Sequence, residues 1–137
     1  MKARLSSPLP KVAAGVNIPQ EKAEIIAEVM AAVGGKFTAA DKDCGADSVG
    51  YVCGLSGYTE STARTEVTEE LLIFSGLDSK DLNKAVTMLR SKGCDIPLKA
   101  MVTPHNRDWT VSALAGELAR EHEYMNSRGK RENDGQE

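Results

Sequence analysis

The feature that most constrains this chain is a scheme it uses twice: a short apolar run, a turn, an amphipathic helix and a second short run. "KVAAGVN" reads as a buried strand. In "QEKAEIIAEVMAAV", Ala23, Ile26, Ala27 and Met30 recur at helical spacing, with Pro19 suited to the first turn and Gly34-Gly35 to the exit. "KFTAAD" follows as a short strand. Further on, "ELLIFSG" is continuously apolar, as in a strand covered on both faces. Asp78 is placed to cap the next helix, with Leu77 and Leu82 as a hydrophobic staple, and Leu82, Ala85, Val86 and Leu89 line one side. "PLKAMVT" is the fourth strand, and "TVSALAGELAREHEYM" the last helix, with Val111, Leu114, Ala115 and Leu118 on one face.

Two βαβ units in one chain predict an α/β domain. The expected sheet has four mostly parallel strands in the order 2-1-3-4, with right-handed crossovers and helices on both faces. A ferredoxin-like α+β sandwich is the alternative. The middle segment, Asp41 to Glu69, decides between them, and its length favours a crossover to a hairpin. Within it "ADSVGYVCGL" suits a short helix from Asp47. Residues 1–10 read as a flexible lead, 11–125 as the domain and 126–137 as a polar, disordered tail.

Aromatics are only 4% of the residues, so Val, Leu, Ile, Ala and Met must build the core. A net charge of −3, with basic and acidic residues interspersed, argues against a nucleic-acid partner. No apolar stretch is long enough for a membrane span, and the first residues lack a signal-peptide pattern. Cys44, Cys53 and Cys94 are odd in number and include no C-x-x-C pair. That suits neither a disulfide framework nor a zinc site, and fits a reducing cytoplasm. Glycine patterns for a phosphate or dinucleotide loop are missing, so no cofactor is expected and no metal site is assigned.

A parallel sheet would gather the loops that begin at Asn17, Asp41, Ser75-Gly76 and Thr103 along one rim, where ligands of α/β sheets bind. The densest polar cluster there is "TPHNRDWT". Read functionally, Asn17, Thr103 and Asn106 contact a ligand, Arg107 meets an anion, and His105 moves a proton. Read structurally, Thr110 caps the last helix, Trp109 packs on Leu114, and Asn106 closes the turn. Cys44 in "DKDCGADS" is a second candidate nucleophile, although no base stands near it in sequence; Asp41 and Asp43 could meet a cation but read as solvated.

The stretch 66–125, with "ELLIFSGLDSKDLNKAVTMLRSKGCDIPLKAMVTPHNRDWTVSALAGELAREHEYM", resembles a bacterial family known only as a domain of unknown function. The resemblance rests on Ala100, Thr103, Asn106, Trp109 and Thr110, an A-x-x-T-x-x-N-x-x-W-T pattern. "VGYVCGLSGY" is a weaker echo of the segment that precedes it in such proteins. It implies an uncharacterised small cytosolic protein and supplies neither reaction nor cofactor. The expected function is a non-catalytic module that binds a small anionic ligand or a protein partner. A small enzyme using the His105/Thr103 turn or Cys44, and a homodimeric assembly protein, are the alternatives.

Overall fold

A computed structural model describes residues 10–122. The predicted tail 126–137 lies outside the described residues, as does the lead apart from Pro10. Four strands, β1 (Val12–Val16), β2 (Lys36–Ala40), β3 (Leu71–Ser75) and β4 (Leu98–Met101), form one sheet in the order 2-1-3-4. The pairs β1–β2 and β3–β4 are parallel, and the central pair β1–β3 is antiparallel, with Val12 opposite Ser75 and Val16 opposite Leu71. The sheet is thus mostly parallel, an α/β single domain, as the sequence predicts.

Helix α1 (Gln20–Ala32) joins β1 to β2, and α3 (Ser79–Ser91) joins β3 to β4. Both lie on one face of the sheet, where Ile26, Met30, Ala85 and Leu89 close over Ala13, Leu72 and Phe74. The other face carries Ala14, Val16, Leu71, Ile73 and Leu98. A short helix α2 (Val49–Val52), Val67 and a helix α4, described over 111–122, cover it with Val49, Val111, Leu114 and Ala115. Helices therefore stand on both faces. Because strand side chains alternate, each strand splits its apolar residues between the two cores, which is why β1 and β3 are buried throughout.

The two units are related by an approximate two-fold axis normal to the sheet, which runs between β1 and β3. β1 and β3 have five residues each, and α1 and α3 have 13 each. Asn17 and Gly76 both take positive φ after the first strand (58° and 81°), and Gly34 and Gly93 both do after the helix (83° and 70°). The helix exits match: Gly35 N donates to Met30 O at 2.8 Å, and Cys94 N donates to Leu89 O at 2.9 Å. A two-fold that keeps both crossover helices on one face also gives both crossovers the same hand.

The antiparallel centre corrects one expectation. The loops after β1 and β2 leave one end of the sheet, and those after β3 and β4 leave the other, so the four do not share a rim. The reason is the path of the middle segment. It departs beyond Ala40 and re-enters at Leu71, opposite Val16, at the same end of the sheet. Its length is spent covering a face rather than returning to the far end. Two local expectations shift by a residue: Pro19 is the N-cap of α1, and α2 is capped by Ser48 rather than begun at Asp47. Ala27 is exposed, and Val29 takes the buried place beside Ile26 and Met30. The Asp78 cap is present, its carboxylate accepting Asp81 N at 2.8 Å.

Candidate functional site

The turn 103–110 builds itself from its own side chains. Thr103 Oγ1 accepts the N–H groups of His105 and Asn106 at 3.2 and 3.1 Å. Asn106, buried, accepts Thr103 N at 2.9 Å through Oδ1 and donates to Met101 O at 3.0 Å through Nδ2. Val102 N faces β3, donating to Phe74 O, so Met101 and Thr103 point their backbone groups outward. The Asn106 amide therefore mimics a residue of a further strand and closes that stretch of the β4 edge. His105 is exposed and stands edge-on to Trp109, with ring centroids 5.4 Å apart. Trp109 is half-buried against the second core.

The same turn locks the middle segment in place. Val49 N donates to Trp109 O at 2.8 Å and Gly50 N to Arg107 O at 2.9 Å, which satisfies the first N–H groups of α2. Reciprocally, Val111 N donates to Asp47 O at 2.8 Å and Ser112 N to Gly45 O at 2.9 Å. Tyr58 lies flat over Gly50, where a Cβ would collide with its ring, and its hydroxyl donates to Asp108 at 2.6 Å. Three expected site residues, Thr103, Asn106 and Thr110, thus spend their polar atoms on backbone. Of the expected set in this turn, Arg107 and His105 are exposed and make no side-chain hydrogen bond among the described residues. Asn17 is not brought to them; it sits at the opposite end of the sheet and donates to Thr68 O at 2.7 Å.

A cleft of about 470 Å³ lies elsewhere, between β2 and the middle segment. Thr38, Ala40 and Asp41 form one wall, and Asp47, Tyr51, Cys53, Glu60 and Arg64 the other. Asp47 occupies the place that Trp109 holds in the second unit, as Ser48 corresponds to Thr110 and Val49 to Val111. The second unit thus has an indole, packed against the second core, at the position where the first has a smaller carboxylate lining the cleft.

Asp47 is 2% exposed, and its Oδ1 accepts Ser61 N at 2.7 Å and Arg64 Nη2 at 3.0 Å. Arg64 is spent on the protein: it also donates to Ala63 O and Ser61 O and lies 3.8 Å from Asp43 and 3.7 Å from Glu60. Among the described residues no donor reaches Asp47 Oδ2. Lys36 lines the cleft as well, and the cleft's carboxylates, Asp41, Asp47 and Glu60, outnumber its cations, Lys36 and Arg64.

Cys44 and Cys53 are buried at the cleft, and burial pushes their thiols up to about 11 and about 12. The Asp47 charge adds to the rise at Cys44. Both are protonated at neutral pH and are poor nucleophiles. Cys94 is also buried, and its thiol is likewise raised by desolvation. Among the described residues no three His, Cys, Asp or Glu side chains come together to hold a metal ion, and no helix is long and apolar enough to cross a membrane.

Sequence reasoning named Asp41 and Cys44 near this cleft but missed Thr38, Tyr51, Glu60 and Arg64, and read Asp47 only as a helix start. Only the pairing of the two units exposes Asp47, because it shows an acid where the second unit has tryptophan. No curated protein and no solved structure matches the chain. A domain of unknown function, DUF3783, is found at residues 70–125, which span β3, α3, β4, the 103–110 turn and the described part of α4.

Proposed function

We propose that the protein is a non-catalytic binding module whose ligand enters the cleft beside β2. The observation that carries this reading is the exchange of Trp109 for Asp47 between two otherwise equivalent units. At one position an indole packs on the core; at its counterpart a smaller, buried carboxylate lines an open cleft with an oxygen that accepts no donor among the described residues. The favoured ligand group is an amine or guanidinium, because Asp41, Asp47 and Glu60 outnumber Lys36 and Arg64 in the cleft and Asp47 Oδ2 accepts no donor among the described residues. The protonated thiols and an exposed histidine held against Trp109 support no catalytic role for Cys44 or His105.

The small anion expected from the sequence is the lesser reading; its support is the exposed Arg107 and His105. A homodimer is the other, supported by the β2 edge, which is unpaired among the described residues, and light scattering over a concentration series tests it. The main reading is tested by thermal shift with a panel of alkylamines, guanidines, carboxylates and inorganic phosphate. Amines and guanidines should raise the melting temperature, and Asp41→Asn should weaken the effect. Stabilisation by the anions alone would overturn it.

A further inference from the structure

The two edges of the sheet are equivalent in position and differ in treatment. On β4 the outward C=O of Met101 and N–H of Thr103 are taken by the Asn106 side chain. On β2, Lys36 N donates inward to Lys11 O at 3.0 Å, so Phe37 and Ala39 point their backbone groups outward. Among the described residues no hydrogen bond reaches those groups. The residue that corresponds to Asn106 is Cys44, whose buried thiol cannot span a C=O and an N–H. Lys36 starts β2, but the following Phe37, Thr38, Ala39 and Ala40 carry no charge and no proline, the usual protections of an exposed edge.

The cleft opens along this same edge. Thr38, Ala39 and Ala40 line it, and Asp47, buried but with Oδ2 free of donors among the described residues, faces it from across. A strand laid beside β2 would send every second side chain toward that face of the sheet.

We propose that an extended segment of a partner protein adds to β2 as an edge strand and places a lysine or arginine side chain in the cleft against Asp47. Main-chain bonds to Phe37 and Ala39 supply affinity, and the carboxylates of Asp41, Asp47 and Glu60 select a basic residue. The inference rests on the cleft being a binding site, and it adds the class of ligand.

The test uses the intact protein and five probes in calorimetry. They are a short synthetic peptide of alternating threonine and valine with one central lysine, its glutamate counterpart, the lysine peptide N-methylated at every second amide in each of the two registers, and Nα-acetyl-lysine methylamide. The lysine peptide should bind at least tenfold tighter than the glutamate peptide and the single blocked residue. One N-methyl register should lose at least tenfold and the other little, because only alternate amides face β2. Equal binding of the peptide and the single residue, or equal loss in both registers, would overturn strand addition and leave the cleft reading intact. Silence from every lysine probe would overturn both. A dimer in light scattering that dissociates in Ala39→Pro would give the edge to a second copy and also overturn the proposal.

Discussion

Ser48 and Thr110 face each other across an antiparallel bridge, and each hydroxyl caps the helix that follows it: Ser48 Oγ accepts Tyr51 N at 3.2 Å, and Thr110 Oγ1 accepts Ala113 N at 3.1 Å. The first two N–H groups of each helix go to carbonyls on the other strand of that bridge. Two helix starts, which would otherwise leave donors unpaired, are satisfied by one another. The dense polar turn of the sequence is therefore half of a clamp between the units.

Asn106→Ala should lower stability by about 1–3 kcal/mol, since it orphans the Met101 carbonyl and the Thr103 N–H at once. Urea denaturation followed by circular dichroism reads this as a lower midpoint at unchanged slope. Uncovering the edge should also make the variant more prone to self-association, visible in light scattering.

Trp109→Ala should cost about 2–4 kcal/mol, as for a large side chain packed on a core. The His105 ring loses its edge-on partner in the same variant. A cost below about 0.5 kcal/mol together with loss of ligand binding would instead mark an indole that faces a ligand.

Much of the fold is legible in the sequence because the cues are local. The helical spacing in 20–32 and 79–91, the Asp78 cap, the glycines at 34 and 93 and the turn chemistry of Thr103, Asn106 and Thr110 each report on neighbours within a few residues. The direction of β3 is not local. It depends on where a long segment re-enters the sheet, and no residue between Asp41 and Glu70 announces that. The cleft was hidden for the same reason: Thr38, Asp47 and Arg64 are far apart in the chain and meet only once the middle segment lies on the sheet.

Ser75 Oγ is buried with no partner among the described residues. The corresponding residue of the first unit is Val16, fully buried and apolar. Ser75→Ala should therefore raise stability by about 1 kcal/mol, because the unfolded chain no longer gives up a hydrated hydroxyl. Thermal and urea midpoints should move up together.

The raised thiols give an alkaline limb. Below the ordinary thiol value of 9.0, folded and unfolded forms both hold their protons and stability is unaffected. As the pH climbs toward about 11 for Cys44 and about 12 for Cys53, the unfolded chain releases protons that the folded one keeps, so stability falls. The urea midpoint should be lower at about pH 10 than at about pH 8, and Cys44→Ser should lessen the difference. At neutral pH a thiol reagent should label Cys44 and Cys53 only as fast as the protein opens.

The central claim is that the cleft lined by Asp47, rather than the 103–107 turn, receives the ligand. A titration of the isotope-labelled protein with Nα-acetyl-lysine methylamide, followed through backbone amide resonances, tests it most directly. Saturable shifts centred on Thr38, Ala40, Asp41, Asp47 and Arg64 are the expected result. Shifts confined to Thr103–Arg107, or none at saturating probe, would contradict it.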